Sequence, residues 1–338
     1  MRTTCLSVLF TAVFTIGWHS SVGLADEPFD ISLRDRTETS EGSGRFHIRN
    51  HDERWSGKQT AVVVCDMWDL HHCKNATLRG AELAPRLDKV LVKFRELGAI
   101  VIHAPSSCTS FYKQHPARLH AVKTPRSKQL PAEISQWCRG IPQEEQGVYP
   151  IDQSDGGEDD EADEHAKWAK QLEAMGKNPK APWTRQTGQL TILESDYISD
   201  DGAEIWSILE DREIANVVLV GVHTNMCVLG RPFGLRNMAR YGKNVVLMRD
   251  MTDTMYNPAR RPFVSHFMGT DLIVEHIEKW VCPTITSDQL IGGETFRFAG
   301  DRRPHVVIAM AEREYKTNQT LPAWAISHLG KQYRVTLI

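Results

Sequence analysis

The chain has 338 residues, with 40 Lys and Arg against 43 Asp and Glu and a net charge of −3. Roughly 100–200 residues make one domain, so a single large domain with additions is expected. The basic residues are dispersed rather than clustered, which argues against nucleic acid and anionic lipid as partners and leaves a small-molecule substrate.

A basic start at Arg2, an apolar run from Leu6 to Trp18 and the small residues Gly23 and Ala25 read as a secretory signal peptide over 1–25. The run is shorter than the roughly 20 residues of a spanning helix. The expectation is therefore an exported protein, periplasmic or secreted, with no membrane contact after cleavage. Residues 26–57 look polar and aperiodic and are assigned to an N-terminal arm.

Thr60 to Cys65 is a continuous apolar run of the kind that forms a buried parallel strand. A helical pattern from Ala81 to Leu97 follows, closed by Gly98, and Ala99 to His103 is a second strand. The same alternation returns later. Leu190 to Leu193 and Asn216 to Val220 read as strands and Ala203 to Glu210 as a helix. Val228 to Tyr241 reads as a further helix, and Asn244 to Met248 as the strand after it. Such alternation predicts an α/β fold, a three-layer, mainly parallel sheet with helices on both faces.

Between these halves, residues 106–187 form an insertion with little strand signal. His165 to Met175 looks helical, and a lid over the pocket is the expected role of the insertion. Its acidic stretch, Asp155 to Glu164, lacks the spacing of an EF-hand and reads as a solvated loop. After Gly292 and Gly293 a new strand, helix and strand begin, at Val306 to Met310, Thr320 to Leu329 and Tyr333 to Ile338.

Reactive groups of an open parallel sheet gather at the C-terminal strand ends. Two such ends carry chemistry here: Asp66 after the first strand, and Gly221-Val222-His223-Thr224-Asn225-Met226-Cys227 at a strand-to-helix turn. A helix N-terminus stabilises a thiolate and can hold the oxygen of a tetrahedral intermediate, so Cys227 is the candidate nucleophile. Of the seven cysteines, Cys65, Cys73, Cys108, Cys138, Cys227 and Cys282 follow the leader without a C-x-x-C pair. Neither a zinc site nor a dense disulfide scaffold is indicated, although an exported chain leaves one or two bridges open.

The turn Gly221 to Val228 (GVHTNMCV) resembles the nucleophile turn of the isochorismatase-like cysteine hydrolases, and Val62 to Asp66 resembles that family's first strand. The similarity spans residues 58–292, most clearly Lys58 to Leu290. It implies Cys227 as nucleophile, Asp66 as proton shuttle, a cis peptide bond at Val222–His223, and an oxyanion hole from the N–H groups of His223 and Cys227. It also implies hydrolysis of a carbon–nitrogen bond, with ether hydrolysis of the isochorismatase type or a non-catalytic binding role as alternatives. A homo-oligomer is compatible with it, and no cofactor is expected. The family's catalytic Lys aligns with Glu194, a carboxylate that would oppose thiolate formation. Arg185, Lys180 and His223 are candidates to compensate.

The metal motif of nicotinamidases is not reproduced at His103 to Cys108. Asp69, His71 and His72 are read as a polar loop, and no metal is assigned. Trp68, His103 and Trp183 are candidates for substrate binding. Residues 304–338 resemble the opening strand, helix and strand of a ThuA-like domain.

Overall fold

The computed structural model describes residues 28–311 and 314–338. The signal peptide expected over 1–25 lies outside the described residues. No helix among the described residues is long and apolar enough to cross a membrane.

Ten strands and eight helices follow one another along the described chain. The segment assigned to an arm is a hairpin of β1 (Phe29–Glu38) and β2 (Phe46–Trp55). Period two explains it, since Ile31 and Leu33 of β1 and Trp55 of β2 are buried while most residues between them stay at the surface. Next come β3 (Thr60–Cys65), α1 (Lys74–Glu96) and β4 (Ile100–Ala104). The insertion carries α2 (Pro116–Lys123) and α3 (Ala162–Ala174). Then follow β5 (Tyr197–Ile198), α4 (Gly202–Asp211), β6 (Asn216–Val222), α5 (Leu235–Arg240), β7 (Asn244–Asp253) and α6 (His266–Trp280). The chain closes with β8 (Thr284–Ile285), α7 (Asp288–Ile291), β9 (His305–Ile308), α8 (Thr317–Leu329) and β10 (Arg334–Leu337).

The main sheet has eight strands in the order β2-β1-β8-β7-β6-β3-β4-β5. From β8 to β5 every pairing is parallel, and the hairpin adds two antiparallel strands at one edge. Strand β3 is central and buried on both faces, which is why its sequence is apolar without alternation. Ala61, Val63 and Cys65 pack toward residues of α4, α5 and α6, while Val62 and Val64 pack toward α1. The expected three-layer α/β architecture is observed.

The run Leu190 to Leu193 is not a strand. The backbone N–H of Thr191 donates to Asp88 and that of Leu193 to Asp196, so the groups a ladder would use are taken by carboxylates. The helix expected from Val228 to Tyr241 is also broken. It divides into a π-helical turn at Thr224–Val228, which continues helically through Gly230, and the short α5, with Arg231-Pro232-Phe233-Gly234 between them. Pro232 lacks an N–H and pushes Arg231 away from helical geometry, which ends the first segment.

The acidic stretch is an ordered clamp rather than a solvated loop. Asp160 accepts from the backbone N–H groups of Lys74 and Asn75, capping α1, whose own N-cap Cys73 makes no side-chain capping bond and turns its thiol to Asp159 instead. Asp159 pairs with Arg79, and Asp155 with Arg260. The terminal β9 and β10 pair in parallel as a separate two-stranded sheet. This unit docks on the main domain through Gly330, whose carbonyl accepts from Ser265 at the start of α6.

The strand ends that carry the site approach closely at Gly221, which has φ +99°, and a Cβ there would collide with the carbonyl of Cys65. We predict that Gly221→Ala lowers unfolding stability by more than about 1 kcal/mol, because both the dihedral and the space exclude a side chain. Gly80→Ala, on an open face of α1, is expected to be neutral or to stabilise by up to about 1 kcal/mol. Urea unfolding of the two variants checks the contrast.

Candidate active site

Asp66 leaves β3 with φ +46°, and its backbone N–H donates to the carbonyl of Ala104 at the end of β4. Its side chain is fully buried. Oδ1 accepts from the Ser106 N–H at 2.7 Å, and Oδ2 accepts from Nε of Arg231 at 3.1 Å. Arg231 lies one helical turn after Cys227, its own N–H bonded to the Cys227 carbonyl at 3.0 Å. The break before Pro232 is what lets this side chain turn back to the strand ends.

The Asp66 carboxylate and the Arg231 guanidinium both bear on the Cys227 thiol. Burial pushes the thiol well above its ordinary range, and Asp66 adds to this, while Arg231 opposes it. A helix terminus was expected to favour the thiolate, yet desolvation wins and the resting group is a neutral thiol. Asp66 is itself raised by burial, against the opposing pull of Arg231. Arg231 stays protonated, held there by Asp66 and by the nearby thiols.

The turn around the thiol is held on several sides. The peptide bond Val222–His223 is cis. Thr224 Oγ1 meets Thr252 Oγ1 at 2.7 Å, and Thr252 also donates to the carbonyl of Gly221. Asn225 makes two amide bonds to the backbone of Met255. The insertion grips the same turn from outside. The Cys138 N–H donates to the carbonyl of Gly230, and the Arg231 guanidinium lies 5.3 Å from the ring of Trp137. Tyr149 donates its hydroxyl hydrogen to the carbonyl of Asn225.

A small cavity opens beside the carboxylate, lined by Asp66, Trp68, His71, Thr77, Val222 and His223 among others. Cys227, only 7 % exposed, stands next to Asp66 rather than on the cavity wall. His71 and His223 meet edge to face with centroids 4.9 Å apart. Burial drives His71 well below the ordinary imidazole value and His223 down to about 4. Both rings are neutral at pH 7 and offer polar but uncharged walls. A wider cavity, between the end of β7, α6 and the C-terminal unit, is lined by Arg249, Arg303 and Arg334 among others and by no cysteine.

Several residues singled out from sequence lie elsewhere. Glu194 is exposed and lines neither cavity, so it does not occupy the place of a catalytic cation. Arg185 and Lys180 are also exposed, and Arg185 turns toward Asp69 and Phe111. The cation beside the thiol is Arg231, whose signal in the sequence was a Gly-Arg-Pro interruption inside an otherwise helical pattern. His103 is an internal strut, bonded to Gln186 at 3.0 Å and Asp196 at 3.3 Å, and does not face the cavity. Trp68 does line it. Trp183 stacks behind Trp68, with centroids 4.5 Å apart.

Asp69, His71 and His72 do not converge. Asp69 accepts from Thr184, His71 Nδ1 accepts from the Cys73 N–H, and His72 faces Glu158. The six described cysteines are all free and buried.

No family model matches the chain, and no curated protein does. Among solved structures, it is similar to a cysteine hydrolase from Pseudomonas syringae pv. phaseolicola 1448A, at 16% identity over 70% of this chain and 92% of that one, with TM-score 0.41. An isochorismatase-like hydrolase from Alkaliphilus metalliredigens shares 16% identity over 69% of this chain and 96% of its own, with TM-score 0.38. An isochorismatase family protein from Desulfovibrio vulgaris subsp. vulgaris str. Hildenborough shares 13% identity over 67% and 94%, with TM-score 0.35.

Two outcomes follow from the electrostatics. Removing the charge of Asp66 leaves Arg231 opposed by burial alone, so Asp66→Asn is expected to speed iodoacetamide labelling of Cys227 several-fold at pH 7, read by peptide mass spectrometry. A slower or unchanged rate would show that Asp66 adds nothing to burial in holding the thiol neutral.

His223 is neutral in the folded protein, whereas the unfolded chain takes up a proton near pH 6.5. Its contribution is therefore present above about pH 6.5 and is lost as pH falls toward 4, on the order of 3 kcal/mol in all. Urea midpoints across that range should decline less for His223→Asn than for the parent.

Proposed function

We propose that the chain is an isochorismatase-like cysteine hydrolase that cleaves a carbon–nitrogen bond of amide type in a small molecule. The observation that carries this reading is the convergence of Cys227, Asp66 and Arg231 at the ends of β3 and β6, where a thiol, a carboxylate with a raised pKa and a permanent cation are held together.

In this reading the Cys227 sulfur forms a bond to the amide carbon as its proton passes to Asp66. The C–N bond then breaks and Asp66 returns the proton to the leaving nitrogen. Water attacks the thioester, giving one proton to Asp66 and from there to the sulfur, and the acid is released. Arg231 does for the pair what the Lys does in the resembled family. It balances one negative charge throughout, whether this rests on the carboxylate or on the sulfur. The N–H groups of His223 and Cys227 are the proposed donors to the tetrahedral oxygen. The substrate enters beside Trp68, His71 and His223 and displaces a side chain before its carbonyl meets the sulfur.

A second reading, ether hydrolysis with an uncharged cysteine, is favoured by the strong preference of Cys227 for the neutral thiol.

Small primary and N-substituted amides, offered as a panel, should release ammonia or amine respectively and leave an acyl mass on Cys227. Cys227→Ala and Asp66→Asn should each lower turnover by at least about a hundredfold. Arg231→Lys should retain a fraction that Arg231→Met loses. Retained turnover in Cys227→Ala would exclude the thioester, and turnover of a vinyl ether but no amide would transfer the assignment to the second reading.

A further inference from the structure

The wider cavity, of about 300 Å³, lies where the C-terminal unit docks on α6 and β7. That volume is at the lower end of the range of small-molecule pockets. Six guanidiniums line it, those of Arg34, Arg36, Arg249, Arg297, Arg303 and Arg334, against four carboxylates. The excess positive charge is concentrated. Arg34 and Arg36 share the buried Glu278, and Arg297 and Arg303 share Asp301. Arg249 and Arg334 form no ion pair among the described residues, and the one hydrogen bond of the Arg249 side chain goes to the Thr284 hydroxyl at 3.0 Å. The carboxylate next in sequence, Asp250, is already taken by Ser287 and by the N–H of Phe296.

Orphaned donors mark the same wall. Arg303 is only 7 % exposed, and Asp301 and Asp271 hold its Nε and Nη2 while Nη1 is buried without a hydrogen-bond partner. The hydroxyl of Thr270, also on the wall, is buried and unpartnered. Buried polar groups are nearly always paired, so two orphans on one wall point to a partner from outside the chain. Burial and the neighbouring Arg34 push Arg249 down to about 10, a strain on a cation that a bound anion relieves. The remaining wall is apolar in part. Phe267 and Phe298 stack there with centroids 5.7 Å apart.

We propose that this cavity binds a small phosphate monoester with an apolar body, its phosphate on Arg249 and Arg334 and its body against Phe267 and Phe298. A phosphate monoester carries a charge of about −1.5 to −2 at pH 7, which matches two guanidiniums without an ion pair. A single carboxylate would leave one of them unbalanced. The planar fork of arginine suits phosphate oxygens, and a desolvated wall strengthens the attraction. Arg249 belongs to the main sheet and Arg334 to β10, so the ligand ties the C-terminal unit to the main domain. The site is distinct from the candidate active site, since neither Cys227 nor Asp66 lines it.

The full chain is titrated by calorimetry with phenyl phosphate, benzoate and inorganic phosphate at low salt. One phenyl phosphate per chain is expected, with Kd below about 1 mM and at least about tenfold tighter than either of the other two. Arg249→Met and Arg334→Met should each weaken it at least about tenfold, and Lys331→Met, at an exposed position outside the cavity, less than about twofold. Phenyl phosphate should raise the melting temperature of the parent and of Lys331→Met more than that of either arginine variant. Arg334 is half-buried and makes no ion pair, and circular dichroism verifies that Arg334→Met is folded should Arg249→Met not fold. No binding of phenyl phosphate, equal affinity for benzoate or inorganic phosphate, or unchanged affinity in folded Arg334→Met would overturn the proposal.

Discussion

The pairing of Arg231 with Asp66 is the interaction on which the site depends. A carboxylate fully removed from water beside a buried thiol would take up a proton, and both groups would lie idle as neutral species. Arg231 opposes this from 3.1 Å, itself braced against Trp137. The pair sets a thiol and a carboxylate side by side with a fixed positive charge next to them. Its geometry in turn follows from a chain event, the helix interruption before Pro232, so a backbone defect supplies the cation.

The insertion is part of this arrangement rather than an ornament on it. One portion, from Trp137 to Gln153, encloses the thiol turn through Trp137, Cys138, Tyr149 and Gln153. Another caps α1 through Asp160. Its end returns along the cavity with Trp183 against Trp68. Each portion thus braces a different element of the site: the thiol turn, the start of α1, and Trp68 on the cavity wall. The acidic residues that looked like a solvated run are distributed among these tasks.

Much of the fold was legible because buried parallel strands carry a plain signal. Thr60 to Cys65 is a strand end to end, and the apolar runs at Asn216 and Asn244 begin strands at those residues. Asp66 and Cys227 were legible from strand ends and from resemblance, and they do come together. What was missed has separate causes. Leu190 to Leu193 had strand-like residues, but Asp88 and Asp196 took its N–H groups. Residues 26–57 looked like an arm because the charges of the hairpin masked a two-residue period carried by Ile31 and Leu33. Glu194 was matched to the position of the family's Lys by linear alignment, which cannot reveal a cation arriving from one helical turn beyond Cys227.

The hairpin has a bearing on how copies of this protein behave toward one another. An open sheet ends in strands whose backbone groups can recruit another chain. At one margin β5 is two residues long and gives little to pair with. At the other, β2 presents ten residues, but His47, Arg49, His51, Asp52, Glu53 and Arg54 crowd its length with charge and polarity. A second strand laid alongside would have to accommodate those groups on its own face. Each margin is thus protected against growth by a different means, brevity on one side and charge on the other, and the sheet stops at eight strands.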